Sequence, residues 1–189
     1  MMAMQLSEAA GVLDGQLAGN DVAFTGISTD TRTLPAGALF FALQGPNFDG
    51  HAYIEAARAR GAAGAAVSEP CDAALPQITV ADTRLALGQL AADWRRRFDI
   101  PVIGITGSNG KTTVRSMTAA VLAQCGRALA TEGNLNNDIG LPLTLARLGG
   151  DDRFAILEMG ANHPGEIDYL ANIAQPTIAV VTNAGPAHL

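Results

Sequence analysis

Aromatic residues make up only 5% of the 189 positions, with one Trp and two Tyr. The core must therefore be filled mainly by Ala, Leu, Val and Ile. There are two cysteines, Cys71 and Cys125, far apart and in no C-x-x-C. That excludes a disulfide framework and a thiolate metal site, and free thiols are expected. Charged residues are 16% of the chain against 48% hydrophobic, which excludes disorder. Positive charge is scarce as well, with 12 Lys and Arg against 18 Asp and Glu and a net charge of −6. No basic stretch is long enough to follow a nucleic-acid backbone, so nucleic-acid binding is not expected. The cluster Arg95-Arg96-Arg97 follows Trp94 on a helical pattern and reads as a solvated face. No apolar run reaches the roughly 18 residues of a membrane span, and the N-terminus has no basic leader region. A cytoplasmic protein is expected.

What is present centres on Pro101–Thr113. Val102 to Ile105 is a β-branched apolar run that reads as a buried strand. The chain turns through Gly107-Ser108-Asn109-Gly110 and then reaches Lys111-Thr112-Thr113. An amphipathic helix follows, with Val114, Met117, Val121, Leu122 and Cys125 on its apolar face. Strand, glycine turn, Lys-Thr and helix form a phosphate cradle. Glycines let backbone N–H groups approach phosphate oxygens, and the helix N-terminus adds free donors and a positive dipole end. The lysine supplies a point charge, and the Thr112 hydroxyl can ligate Mg²⁺. The general pattern places glycine where Ile105 stands here. The glycines fall instead at Gly104, Gly107 and Gly110.

The length allows one large or two small domains. Residues 1–82 read as a small α/β domain with a helix over Leu6–Leu13. Strands are expected at Val22–Ser28, Ala38–Leu43, Ala65–Val67 and Gln77–Val80, a loop at Gly45–Gly50 and a helix at His51–Gly61. A linker is expected near Ala81-Asp82. A helix over Thr83–Phe98, with Leu87, Leu90, Ala91, Trp94 and Phe98 in register, then opens the second domain, 83–189. There, strands at Ala128–Ala130, Phe154–Glu158 and Thr177–Thr182 alternate with helices at Ile139–Leu148 and Pro164–Ala174, the last with Pro164 at its first position. Apolar strands alternating with helices argue for a parallel sheet covered on both faces. The fold class is α/β.

Ligands of such sheets bind beyond the carboxyl ends of the strands. Lys111, Thr112, Glu158, Asn183 and His188 all follow or end strands, so they are expected at one edge. Glu158 ends an apolar strand, where a carboxylate is costly unless it meets a cation. It is a Mg²⁺ ligand or a satisfied strand-end acid. His188 is a site residue or an ordinary loop residue. Asn134, Asn136 and Asn137 either bind a polar substrate or serve turn chemistry.

Several strings resemble those of the Mur ligases of bacterial peptidoglycan synthesis. They are G-I-T-G-S-N-G-K-T-T at 104–113, E-G-N-L-N-N-D-I-G-L-P-L-T-L at 132–145, E-M-G-A-N at 158–162 and T-N-A-G-P-A-H-L at 182–189. S-T-D-T-R at 28–32, P-A-G-A-L-F-F-A-L at 35–43 and N-F-D-G-H at 47–51 resemble the family's UDP-binding domain. The phosphate-loop string is shared with folylpolyglutamate synthases. N-N-D-I-G-L-P and E-M-G-A-N favour the branch that joins D-alanyl-D-alanine to UDP-N-acetylmuramoyl-tripeptide. The resemblance implies ATP and Mg²⁺, with Gly107 to Thr113 on the ATP phosphates. Lys111, Glu158 and His188 would be catalytic, and Thr112, Glu158 and His188 would lie at metal. Ser28, Asp30, Arg32, Asn47, Asp49 and His51 would lie near the UDP moiety, and Asn134, Asn136 and Asn137 near the phosphate-acceptor end. The chemistry implied is amide formation through an acyl phosphate by a monomer. The family continues beyond Leu189, so this chain is expected to be a fragment with a half-site and no turnover of its own. A ligase adding the third peptide residue and a non-catalytic nucleotide-sugar-binding module are the alternatives.

Overall fold

The computed structural model describes residues 1–185. They form two compact units that divide between Leu90 and Ala91. The division falls inside helix α3 (Thr83–Arg96), which begins in the first unit and ends in the second.

In the first unit, β1 (Ala3–Gln5) leads directly into α1 (Leu6–Val12) and pairs antiparallel with β3 (Ala23–Thr25). A five-stranded sheet follows the order β2 (Gln16–Ala18), β9 (Gln77–Thr79), β8 (Gly64–Val67), β5 (Leu39–Phe41) and β4 (Ile27–Ser28). Strands β4, β5, β8 and β9 are parallel, and β2 joins antiparallel. The strand expected over 22–28 is two strands, β3 and β4, because Gly26 between them adopts a positive φ of 76°. The loop expected over 45–50 carries a small hairpin, β6 (Gln44–Gly45) with β7 (Phe48–Asp49). The helix expected from His51 is a 3₁₀ turn, Gly50–Tyr53, continued by α2 (Ile54–Ala59). Phe40, Ile54, Ala57, Val67 and Leu75 pack together in the core. The scarce aromatics are used here, since Phe24, Phe40 and Phe41 are among the largest fully buried side chains.

The second unit holds a four-stranded parallel sheet in the order β11 (Ala128–Ala130), β12 (Phe154–Glu158), β10 (Val102–Thr106) and β13 (Ile178–Val181). Its helices are α4 (Lys111–Leu122), α5 (Gly140–Leu145) and α6 (Glu166–Ala174). β10 is paired on both sides and nearly wholly buried, as its unbroken apolar run requires. Val114, Ala119 and Leu122 of α4 pack on Ile103, Ile105 and Ile156. Among the described residues, no helix is long and apolar enough to cross a membrane.

Four further expectations differ from the structure. The strand at 177–182 is not buried: β13 pairs only with β10 among the described residues, and Ile178 and Val181 are exposed. An apolar run cannot report whether its strand is central or at an edge. Met117, Val121 and Cys125 do not face the core, because the stripe that meets the sheet runs through Val114 and Leu122. Pro164 precedes α6 rather than opening it, and Gly165 occupies the N-cap. Arg95, read as part of a solvated face, is buried.

Arg95 is buried because α6 ends beside it. Its Nε donates to the Ala174 carbonyl at 3.0 Å, Nη1 to the Phe98 carbonyl at 2.6 Å and Nη2 to the Gln175 carbonyl at 3.4 Å. The last carbonyls of a helix lack intrahelical partners, and a guanidinium supplies several donors at once. Charge-assisted hydrogen bonds of this kind contribute about 1.5–3 kcal/mol each, with losses that are not additive. Arg95→Ala is therefore expected to cost about 3 kcal/mol in chemical denaturation, while exposed Arg96→Ala costs less than about 0.5 kcal/mol. Equal midpoints for the two variants would refute this role.

Candidate active site

The site is built at the carboxyl edge of the second unit's sheet. β10 ends at Thr106, and the chain turns at Gly107 with φ 134°. A Cβ on Gly107 would collide with Thr182 Oγ1 and lie 2.8 Å from the Asn183 carbonyl oxygen, so only glycine fits. Gly110 takes a second positive φ of 81° and caps α4, whose first turn has no acidic residue. The positive end of this 12-residue helix is thus left uncompensated toward an anion.

The segment after β13 braces the loop from one side. The Ser108 N–H donates to the Asn183 carbonyl at 3.2 Å, and the Asn109 N–H donates to Asn183 Oδ1 at 3.0 Å. Thr182 Oγ1 donates to the Asn109 carbonyl at 2.6 Å. Ser108 Oγ donates to the Gly185 carbonyl at 2.6 Å and accepts from the Gly185 N–H at 3.0 Å. Two loop N–H groups expected to face phosphate are therefore used to shape the loop. Lys111 Nζ lies over the turn and donates to the Gly107 carbonyl at 2.7 Å. A cavity of about 320 Å³ opens here, lined by Gly107, Ser108, Lys111, Ala161 and Asn183 among others. Thr113, exposed in the first turn of α4, continues the Gly107–Thr113 run.

Glu158 ends β12, next to β10, and is buried. The Thr112 hydroxyl donates to its Oε2 at 3.0 Å, and Asn136 Nδ2 donates to its Oε1 at 2.9 Å. Arg115 forms an ion pair with Oε2 at 3.3 Å and donates to the Gly133 carbonyl at 3.2 Å. The Glu158 N–H donates to Thr131 Oγ1 at 3.0 Å. Sequence reasoning singled out neither Arg115 nor Thr131. The signal for Arg115 was its position one turn beyond Thr112, on the same side of α4.

Of the three asparagines, only Asn136 reaches Glu158. Asn137 Oδ1 accepts from the Gly140 N–H at 2.8 Å and the Ile139 N–H at 3.3 Å, so it shapes the turn that leads into α5 by ordinary turn chemistry. Asn134 is exposed, and its carbonyl accepts from the Asn136 N–H. His188 lies outside the described residues. Among the described residues, no three His, Cys, Asp or Glu side chains gather as a metal cluster. Thr112 and Glu158 do offer a hydroxyl and a carboxylate together, hard oxygen donors of the type Mg²⁺ takes.

The first unit has its own cavity of about 430 Å³. Asp30 and Arg32 line it, together with Thr29, Phe40, Phe48 and Tyr53. Asp30 and Arg32 form a two-oxygen fork, with Nε at 2.9 and 3.1 Å and Nη2 at 2.7 Å. These hydrogen bonds from Arg32 hold the Asp30 carboxyl at about 2, below its ordinary range. Ser28 is buried behind the fork and fixes the turn through the Asp30 backbone. Asp49 and His51 are not among the lining residues. Asp49 Oδ1 accepts from the His51 N–H at 2.9 Å and meets His51 Nδ1 at 2.6 Å. His51 Nε2 accepts from the Ser68 N–H at 3.0 Å, which places the ring proton on Nδ1. Asn47 is exposed between β6 and β7. Phe48 and Tyr53 were missed because nothing in their spacing marks them as lining a pocket.

Both units resemble known proteins. The Mur ligase middle domain matches residues 105–189, and the Mur ligase family catalytic domain matches residues 23–95. The chain is 48% identical to the UDP-N-acetylmuramoyl-tripeptide–D-alanyl-D-alanine ligase of Escherichia coli, over all of this chain and 42% of that protein. A crystal structure of MurF from Acinetobacter baumannii matches with a TM-score of 0.94 at 40% identity, over 100% of this chain and 43% of that one. The MurF ligase from Thermotoga maritima, in complex with ADP, matches with a TM-score of 0.79 at 32% identity, over 87% of this chain and 39% of that one. The chain thus spans about two fifths of the length of these relatives. With both units matched and the phosphate loop in place, the chain belongs to the Mur ligase family.

Proposed function

We propose that this chain carries the nucleotide-binding part of an ATP-dependent ligase that joins D-alanyl-D-alanine to UDP-N-acetylmuramoyl-tripeptide. One observation carries the reading: Lys111 and Thr112 at the start of α4 and Glu158 at the end of β12, far apart in sequence, come together at the carboxyl edge of one parallel sheet, beside a loop shaped for phosphate. The E. coli and T. maritima relatives support the substrate and the nucleotide. Residues 83–189 take ATP, with Gly107 to Thr113 around its phosphates. Residues 1–82 take the UDP-sugar, with Asp30 and Arg32 in the pocket, Ser28 holding their turn, and Asn47, Asp49 and His51 on the segment that carries the lining residues Phe48 and Tyr53.

Lys111 exchanges the Gly107 carbonyl for phosphate oxygens and holds the nucleotide in line with the tripeptide's terminal carboxylate. The γ-phosphoryl group passes to that carboxylate, giving an acyl phosphate and ADP. The amine of D-alanyl-D-alanine attacks the acyl carbon, and the tetrahedral adduct collapses to the amide with loss of phosphate. Catalysis of this kind is mostly positioning and charge neutralisation. Thr112 and Glu158, with His188, would hold Mg²⁺, which when bound neutralises phosphate charge. Asn136 orients Glu158, and Asn134 and Asn137 border the acceptor end.

Calorimetry on this chain is expected to detect UDP-sugar and Mg-ATP separately. Lys111→Ala should lower Mg-ATP affinity by about tenfold or more, the equivalent of one charge-assisted hydrogen bond, and leave UDP-sugar affinity unchanged. Unaltered ATP affinity in that variant would sink the phosphate-loop assignment. Product formation is expected only once the chain is extended to the length of its relatives, with the tripeptide nucleotide preferred over the dipeptide form. Normal turnover by the 189-residue chain alone, or a dipeptide preference, would contradict this.

The Asp30–Arg32 fork gives a pH prediction. A folded-state pKa below the unfolded value means that its contribution is present above the ordinary value of 3.8 and is lost as the pH falls toward about 2. UDP-sugar affinity should therefore not fall through this pair between pH 7 and pH 5. Arg32→Ala should weaken UDP-sugar binding at all of these pH values; affinity equal to that of the parent would remove Arg32 from the site.

A further inference from the structure

We infer that Arg115 is a positioning residue that couples metal binding to nucleotide binding, by supplying the positive charge beside Glu158 while no nucleotide is present. The inference rests on the reading of Glu158 as a metal ligand. It begins from burial: the side chains of Arg115 and Glu158 are 12% and 4% exposed. A carboxylate so far removed from water is costly unless a cation and hydrogen bonds compensate it. Both of its oxygens already have partners. Asn136 takes Oε1, while the Thr112 hydroxyl and the Arg115 guanidinium share Oε2. Lys111, the cation one turn earlier on α4, is engaged with the Gly107 carbonyl.

A bare dication entering here meets a carboxylate whose charge is already balanced, and must bind beside a guanidinium that repels it. A nucleotide changes this balance, because its phosphates bring both negative charge and further oxygen ligands. The result is a site that takes metal weakly alone and strongly with nucleotide. Arg115 is also anchored to the Gly133 carbonyl at the head of the Asn134–Asn137 loop, so its charge is held in place and does not depend on Glu158 alone.

The test uses Mn²⁺, whose free concentration is read by electron paramagnetic resonance, with the whole nucleotide-free chain. Arg115→Gln is expected to raise Mn²⁺ affinity by about tenfold, since it restores the carboxylate's full charge. Arg115→Lys keeps the cation and should stay near the parent value. Adding Glu158→Gln to Arg115→Gln should abolish the gain. Mn²⁺ affinity unchanged in Arg115→Gln, or a gain that survives loss of Glu158, would overturn the inference. Should Arg115→Gln fail to fold, the parent chain still decides. The ¹⁵N resonance of the Arg115 guanidinium, assigned through Arg115→Lys, should move on addition of Mg-ADP and stay in place with the same concentration of Mg²⁺ alone. No movement with Mg-ADP, or the same movement with both, counts against it. Failure of the underlying reading looks different: Mn-ADP would then bind Glu158→Gln as tightly as the parent.

Discussion

A buried carboxylate is the constraint around which the second unit is assembled. Glu158 sits on a strand with neighbours on both sides, where nearly every other residue is apolar. An ionised carboxylate there needs several donors, and no single segment can provide them. They come from α4 through Thr112 and Arg115, and from the loop after β11 through Asn136. Thr131, at the start of that loop, accepts from the Glu158 backbone and fixes the end of the strand. Satisfying this one charge therefore holds the phosphate-loop helix, a central strand and a polar loop in register. The same contacts that make the carboxylate tolerable place it where a cation bound to phosphate would need it.

The phosphate loop shows a related trade. Backbone N–H groups in such turns are the natural anion ligands. Here Ser108 and Asn109 direct theirs to Asn183, on the segment after the neighbouring strand. Rigidity is obtained at the expense of donors. What remains for an anion is the start of α4, where no side chain takes the backbone N–H groups, and the Lys111 ammonium. Gly107 makes the arrangement possible, because a methyl group at that position would collide with Thr182 and Asn183. The loop is thus set by its neighbour strand as much as by its own glycines.

This explains which parts of the structure could be read in the sequence. The strand, glycine turn and helix at 102–122 were legible, because local chemistry alone dictates them. The meeting of Lys111, Thr112 and Glu158 followed from the rule that parallel strands present their carboxyl ends on one edge. Quantities that depend on who sits next to whom were not legible. The exposure of β13 follows from its place in the strand order, and the burial of Arg95 from the arrival of α6 nearly eighty positions later. Asn136 and Asn137 are adjacent and chemically identical, yet one binds Glu158 and the other shapes the turn into α5. Only the path of the backbone separates them. In the first unit, Asp49 and His51 read as ligand residues but satisfy each other and Ser68, while unmarked Phe48 and Tyr53 line the cavity.

Two cations on α4, one turn apart, show how partner chemistry divides their roles. Lys111 is matched with a neutral carbonyl, at 2.7 Å. Exchanging that carbonyl for a phosphate oxygen gains a full charge–charge interaction and leaves behind only a carbonyl, which water can solvate. Arg115 is matched with a carboxylate and is mostly buried. Removing it from Glu158 would leave an uncompensated charge, the costly case for buried pairs. The lysine is therefore poised to move onto a ligand, and the arginine is committed to the protein. Lysine's compact, mobile ammonium and arginine's rigid, multi-donor fork suit these roles in that order, so exchanging the two residue types would impair both.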